Sequence, residues 1–267
     1  MIRDITIGQY YPGNSVIHRL DPRTKFVGTL AFVVSVFLFH TFPGYAVATV
    51  FLAGLIALST VPVKFIFKGL KAIFVLLLIT IIFNIVLTPG EILWKFGFIK
   101  ITKEGLKLAG TMAIRLVYLV IGSSIMTLTT TPNQLTDGLE RLLRPLNKIH
   151  VPVHEIAMMM SIALRFIPIL LEETDKIMKA QIARGADFEN GNLIQKAKNM
   201  VPLLVPLFIS AFRRANDLAM AMEARCYHGG DQRTQMKPLH YGRLDYMAYG
   251  VLVLYLAIGV AFRVLGL

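Results

Sequence analysis

The chain is poor in charge, has one cysteine and carries one tryptophan. Only 16% of its 267 residues are Asp, Glu, Lys or Arg, against about 25% in an ordinary soluble domain. Hydrophobic residues make up 55%, and mean hydropathy is +0.61. Folding alone cannot keep such a composition in water, so a bilayer is part of its solvent. Disorder, secretion and a purely soluble enzyme are thereby excluded. The lone Cys226 excludes a disulfide framework and a cysteine-based zinc site. Catalytic signatures are missing as well. No G-x-x-x-x-G-K-[ST] loop occurs to cradle phosphates, and there is no G-x-S-x-G elbow. His154-Glu155 has Met158 where a zinc protease would place its second histidine. No cleavable signal is expected, because the chain up to Lys25 is polar and charged.

Charge-free windows locate the membrane crossings. No Lys, Arg, Asp or Glu lies between Lys25 and Lys64, and Pro43-Gly44 interrupts that stretch. The pattern predicts a helical hairpin, about 26–42 and 44–61, whose arms are short for a roughly 30 Å hydrocarbon core. Further spans are expected at about 72–89, 106–131 (broken in its interior by Arg115, with Lys107 at its start) and 245–265. The net charge of +12 would suggest nucleic acid in a soluble protein; here it reads as positive flanks facing the cytoplasm, with no nucleic-acid partner. Arg3, Arg19, Arg23 and Lys25, then Lys64, Lys68 and Lys71, mark two inside flanks. The loop at 90–105 falls outside, although Lys95, Lys100 and Lys103 oppose Glu91 and Glu104 there. The N-terminus is then inside and the C-terminus outside. The domains expected are a membrane domain at 1–131, a cytoplasmic domain at 132–243 and a last span within 244–267.

The stretch 132–243 is full of helical signals. Thr131-Pro132-Asn133 opens an amphipathic helix, about 133–149, carrying Leu135, Leu139, Leu142 and Leu143. A second helix follows Pro152, about 153–188. A third, about 192–228, places Leu193, Ala197, Met200, Leu204, Leu207 and Ala211 at helical spacing and stops at Gly229-Gly230. The two long helices are apolar where they begin: 156–171 holds only Arg165, and 199–212 holds no charge. They turn polar where they end, with Glu172, Glu173, Asp175, Lys176 and Lys179 in one and Arg213, Arg214 and Asp217 in the other. The greasy windows suit interfacial or buried helices, two further crossings being the alternative. Ala211, Ala215 and Ala219 recur every four residues, a spacing that lets backbones approach, so the long helices are expected to pack there.

Both long helices end alike. Ala183-Arg184-Gly185 closes the first and Ala224-Arg225-Cys226 the second. A guanidinium at a helix C-terminus complements the dipole and leaves donors for a carboxylate on another surface, while small neighbours keep that surface open. One copy reads most simply as an arginine capping its own helix. Two copies on paired helices favour docking.

These motifs stand in an order that resembles the transmembrane component T of energy-coupling factor (ECF) transporters, the EcfT/CbiQ family. The resemblance runs from His18-Arg19-Leu20-Asp21-Pro22-Arg23-Thr24-Lys25 through Thr130-Thr131-Pro132 and Ala183-Arg184-Gly185 to Glu223-Ala224-Arg225-Cys226-Tyr227 and Gly229-Gly230. It implies an all-α polytopic membrane protein with about five transmembrane helices and a cytoplasmic coupling region of one short and two long crossed helices. It implies a scaffold in the bacterial cytoplasmic membrane, joining two ABC ATPases (an EcfA-type heterodimer) to one exchangeable, substrate-binding S-component at a time. Arg184 and Arg225 would dock into the ATPases, which bind the ATP and Mg²⁺; the chain itself would hold no cofactor or metal and catalyse nothing. In the family the S-component sets the substrate. The length and the Arg-Cys-Tyr-His-Gly-Gly ending resemble the shared, vitamin-serving type rather than a dedicated cobalt or nickel subunit.

A free-standing ion-coupled carrier is the rival. Such carriers place ionisable groups at membrane depth; the five spans hold no Asp or Glu at depth, Arg115 being the clearest charge there with Asn84 and His40 as neutral candidates, and no inverted repeat is visible. Met158, Met159, Met160, Met220 and Met222 fit either an adaptable surface or ordinary packing. Asp21-Pro22-Arg23 reads as a brace at the end of the first span or as a simple start signal.

Overall fold

The structure, a computed structural model, describes residues 10–39, 41–96, 99–186, 188, 192–229, 236 and 238–264. Arg3, His40 and Gly230 lie outside the described residues. Helices dominate: α1 Val16–Arg19, α2 Pro22–Leu38, α3 Phe42–Ser59, α4 Val63–Leu87, α5 Lys103–Thr129, α6 Pro132–Leu143, α7 Val153–Ala183, α8 Leu193–Ala224 and α9 Arg243–Val264. A 3₁₀ turn, Arg144–Ile149, follows α6.

Caps explain where these helices differ from the charge-free windows. α2 begins ahead of its window, at Pro22, because the Asp21 side chain accepts from the Arg23 N–H at 2.9 Å and Pro22 takes the first helical position. Thr60, at φ 53°, stops α3 just short of the expected end. Thr102 accepts from the Gly105 N–H at 3.1 Å and starts α5. Thr131 and Gln134 cap α6 reciprocally, each accepting from the other's backbone N–H. α4 extends back over Lys64, Lys68 and Lys71, its segments Val63–Lys71 and Ile73–Leu87 meeting at 57°.

The loop expected at 90–105 contains a short antiparallel hairpin, β1 Ile92–Phe96 and β2 Ile99–Thr102, pairing Ile92 with Thr102 and Phe96 with Ile99. The otherwise all-α class is unchanged by it. Among the described residues four helices are each long and apolar enough to cross a membrane, namely α3, α5, α7 and α9, and α4 taken as one bent span makes five. α2, with 17 residues and so about 26 Å, is one of the expected spans and falls just short of that length.

The chain divides into two compact units, one spanning Leu139–Pro238 and one formed by Gly8–Gly138 with Leu239–Leu267. In the second, α2, α3, α5 and α9 enclose Phe32, Val36, Ala48, Leu52, Ile125 and Tyr255. The Phe51 and Tyr255 rings stack at 4.3 Å, and the Tyr255 hydroxyl bonds Ser35 Oγ at 2.6 Å. Gly259 lets the Phe39 ring close against α9: a Cβ there would sit 2.1 Å from the ring.

The segment His18–Lys25 ties this unit together at one end. Arg23 grips Asp21 with two parallel bonds of 3.0 and 2.9 Å and lies 3.9 Å over the Tyr241 ring. The Asp21 N–H donates to Asp245 Oδ1 at 2.8 Å, and the Gly242 N–H donates to Asp245 Oδ2 at 2.8 Å. Lys25 Nζ donates to the Thr129 carbonyl at 2.8 Å and the His18 carbonyl at 3.2 Å. Asp21-Pro22-Arg23 therefore starts α2 and also braces it against α9.

Candidate docking site

Each long helix of the unit at Leu139–Pro238 ends on an arginine, and the two ends share one backbone geometry. Arg184 caps α7 at φ −88°, ψ 6°; Arg225 caps α8 at φ −93°, ψ 12°. The next residue in each copy turns left-handed: Gly185 at φ +88° and Cys226 at φ +56°. The N–H of Gly185 then donates to Ile182 O at 2.9 Å and that of Ala186 to Gln181 O at 3.0 Å. In the second copy Cys226 donates to Glu223 O at 2.9 Å and Tyr227 to Met222 O at 3.0 Å. Both are Schellman-type caps, in which a left-handed residue satisfies the last helical carbonyls. The small third residue of the tripeptide is thus a backbone requirement as well as a matter of clearance.

Ala183, Arg184, Gly185, Ala224, Arg225 and Cys226 are all exposed. Neither guanidinium has a side-chain partner among the described residues, so neither serves an internal contact there.

The two caps are not brought together. α7 and α8 pass each other in opposite directions, with Gln181 reaching the Pro202 carbonyl at 3.4 Å and Glu173 paired with Arg214. Ser210 also bonds Glu173, and the Arg214 bond holds the Glu173 carboxyl below the usual carboxylate range, with Ser210 adding to it. Along the sequence Glu173 precedes Arg184 by the same interval as Arg214 precedes Arg225. The ion pair therefore stands at equal distances from the two caps, about 16 Å along each helix at 1.5 Å per residue, and α7 stays against α8 beyond it as far as Gln181.

The alanine row behaves differently from expectation. Ala211 is half-buried, whereas Ala215 and Ala219 are exposed. The covered face of α8 runs through Leu203, Leu207, Ser210, Ala211, Arg214 and Leu218. A strict four-residue row turns about 40° further round the helix at each step. It leaves the contact face after Ala211, while the alternating four-and-three steps from Leu203 to Arg214 stay on it. Met200 and Leu204 from the predicted apolar row are exposed, as are Met159, Met160 and Met220. On α4, Asn84 Nδ2 donates to its own helix at the Thr80 carbonyl, 2.7 Å away, the ordinary role of a polar residue in a span. Glu173, Arg214 and Asp245 were not distinguishable in the sequence, since nothing local marks a charge whose partner is so distant along the chain.

Among the described residues no group of three or more His, Cys, Asp or Glu gathers as metal ligands would. Four helices competent to cross a membrane among the described residues, five with the bent α4, define a polytopic helical membrane protein. The family model for CbiQ, described as a cobalt transport protein, matches residues 13–236. A protein of Clostridium kluyveri named energy-coupling factor transporter transmembrane protein EcfT is 60% identical over 250 residues, covering 93% of each chain. Proteins of the same name from Ruminiclostridium cellulolyticum and Bacillus subtilis are 55% and 50% identical, covering 96% of each chain and 90–91% respectively. The chain belongs to the EcfT/CbiQ family of membrane transport proteins.

Proposed function

We propose that this chain is the transmembrane coupling subunit of an ECF-type importer. It joins two EcfA-type ABC ATPases, which carry ATP and Mg²⁺, to an exchangeable S-component, and it performs no catalysis and binds no cofactor itself. The observation carrying this reading is the pair of matched C-caps. Two exposed arginines, in one backbone geometry and equidistant from the Glu173–Arg214 crossing, suit a partner that presents two equivalent grooves. Movement of such a partner would swing both arms about the crossing and so reach the membrane subunits.

The domain at 132–243 is cytoplasmic on this reading, and the protein sits in the bacterial cytoplasmic membrane with its N-terminus inside and C-terminus outside. α7 is apolar enough to cross, but crossing would carry Lys196, Lys198, Arg213, Arg214 and Arg225 to the outer side against the positive-inside tendency. The names of the relatives favour an energy-coupling factor transporter, and the Arg-Cys-Tyr-His-Gly-Gly ending favours a shared, vitamin-serving module. The description of the family model favours a second reading, a dedicated cobalt or nickel transporter subunit.

Charge reversal at both arginines tests the docking role. Arg184→Glu with Arg225→Glu should abolish co-purification of the ATPases while membrane insertion persists. Each single change should weaken binding by about 2–4 kcal/mol, as for one hot spot. Stoichiometric recovery of both ATPases with the double variant would refute it.

A further inference from the structure

Arg115 interrupts the apolar middle of α5, and its surroundings describe a site. It lies as far before the end of α5 as Tyr45 lies before the end of α3. Those two ends are neighbours, since Val61 and Ile66 pack on Leu128 there. The guanidinium therefore sits about 21 Å along the bundle, close to where α2 stops and α3 starts. At that end α2 and α3, about 26 and 27 Å long, are already shorter than a roughly 30 Å hydrocarbon core. α5 itself extends further, from Arg115 back to Lys103. A bilayer matching the short hairpin brings its headgroups down to the level of this arginine.

Few groups on the chain answer its donors. Nη2 donates to the Tyr45 hydroxyl at 3.1 Å and Nη1 approaches Met112 Sδ at 3.7 Å. Nε is buried, which leaves the terminal Nη1 and Nη2 as the donors a ligand can reach, and no carboxylate among the described residues pairs with the group. The guanidinium lies 5.5 Å from the Phe37 ring centre. Beside it the Tyr118 hydroxyl bonds Thr49 Oγ1 on the exposed side of α3, and the Tyr45 and Tyr118 rings are 6.4 Å apart. Around this polar cluster Phe37, Leu38, Phe42, Val50 and Ile114 are exposed. A forked cation with hydroxyls beside it and an apolar collar around it matches an amphiphile with an anionic, bidentate acceptor.

We propose that Arg115, positioned by the buried Tyr45 hydroxyl and flanked by that of Tyr118, binds the phosphate of a membrane glycerophospholipid whose acyl chains lie against the exposed apolar residues of α2 and α3. The bilayer itself supplies this ligand at the depth the short hairpin sets. The site anchors a headgroup where the membrane must thin.

The test uses the full chain reconstituted in vesicles of equal phosphatidylglycerol and phosphate-free glucosyl diacylglycerol, then released for native mass spectrometry. The wild type should retain phosphatidylglycerol in preference to the glycolipid. Arg115→Gln should retain roughly tenfold less phosphatidylglycerol, the worth of one charge-assisted hydrogen bond, with glycolipid retention unchanged. Tyr118→Phe should give a smaller loss in the same direction, and it supplies the readout if Arg115→Gln does not insert. Equal phosphatidylglycerol retention by wild type and variants, or equal loss of both lipids, would overturn the proposal. So would unchanged retention accompanied by loss of a co-purifying membrane protein, which would assign the cation to a protein carboxylate.

Discussion

Replacing Gly185 by alanine isolates the backbone contribution of the first arginine cap. A Cβ at this position meets nothing within 4 Å, so no clash contributes. What remains is the φ of +88°, in a region that costs an L-residue about 1–2 kcal/mol. Alanine also stiffens the unfolded chain, which returns about 0.4–1 kcal/mol. The net cost is about 1 kcal/mol, and it falls on the cap. The 2.9 and 3.0 Å bonds to Ile182 O and Gln181 O should open about fivefold more often. Hydrogen exchange at the Ala186 amide should accelerate by that factor, while amides near Glu173 stay unchanged. Cys226→Gly should act oppositely, because Cys226 already occupies φ +56° with a side chain; the Tyr227 amide should exchange more slowly. ATPase affinity should follow these changes within a fewfold, since the arginine is presented from a looser or tighter cap. Gly185→Asn separates backbone from clearance, asparagine being tolerant of left-handed φ. If Gly185→Ala leaves Ala186 exchange unchanged yet destroys ATPase binding, the residue is small for the partner's sake and the cap argument is wrong.

Three other outcomes follow from the same contacts. Asp245→Asn keeps the volume but turns one acceptor of the Asp21 and Gly242 N–H groups into a donor; a buried N–H left unpaired costs about 1–3 kcal/mol, and the detergent-solubilised protein should melt several degrees lower. The Glu173 carboxyl titrates below its ordinary range, so its stabilisation of the crossing is complete above the unfolded carboxylate pKa and is lost as pH falls through the lower folded value. A spin-label distance between Lys176→Cys and Asp217→Cys should hold at neutral and mildly acidic pH and broaden only in stronger acid, and Glu173→Gln should remove that transition. A cysteine at Asn192 should resist an impermeant reagent added to intact cells; labelling from outside would overturn the cytoplasmic placement of α7 and α8.

Charge-free windows located the helices of the membrane unit well because lipid forbids charges over whole spans, and that constraint is written residue by residue. They misplaced the ends because caps, not charges, stop helices. Asp21-Pro22 starts α2 among basic residues, and a left-handed Thr60 ends α3 inside an apolar run. The hairpin Ile92–Phe96 with Ile99–Thr102 is too short for its alternation to stand out beside two lysines. The brace at Asp245 joins opposite ends of the chain, and only the folded bundle of α2, α5 and α9 puts them in reach.

The two arginine tripeptides show what local reading can and cannot reach. Their recurrence is visible as letters, and so is the match of small residues, but the left-handed torsion that Gly185 and Cys226 share is visible only in the structure. The alanine row was equally visible and pointed to the wrong face beyond Ala211, because a four-residue repeat drifts round a 3.6-residue helix. What holds the crossing instead is Glu173 with Arg214 and Ser210, three residues unremarkable in their own neighbourhoods. Glu173 and Arg214 stand at the same interval before their caps, which makes the two arms equal. On the proposed coupling role, the ion pair and the matched intervals serve one purpose: symmetric presentation of two arginines at the ends of two packed helices.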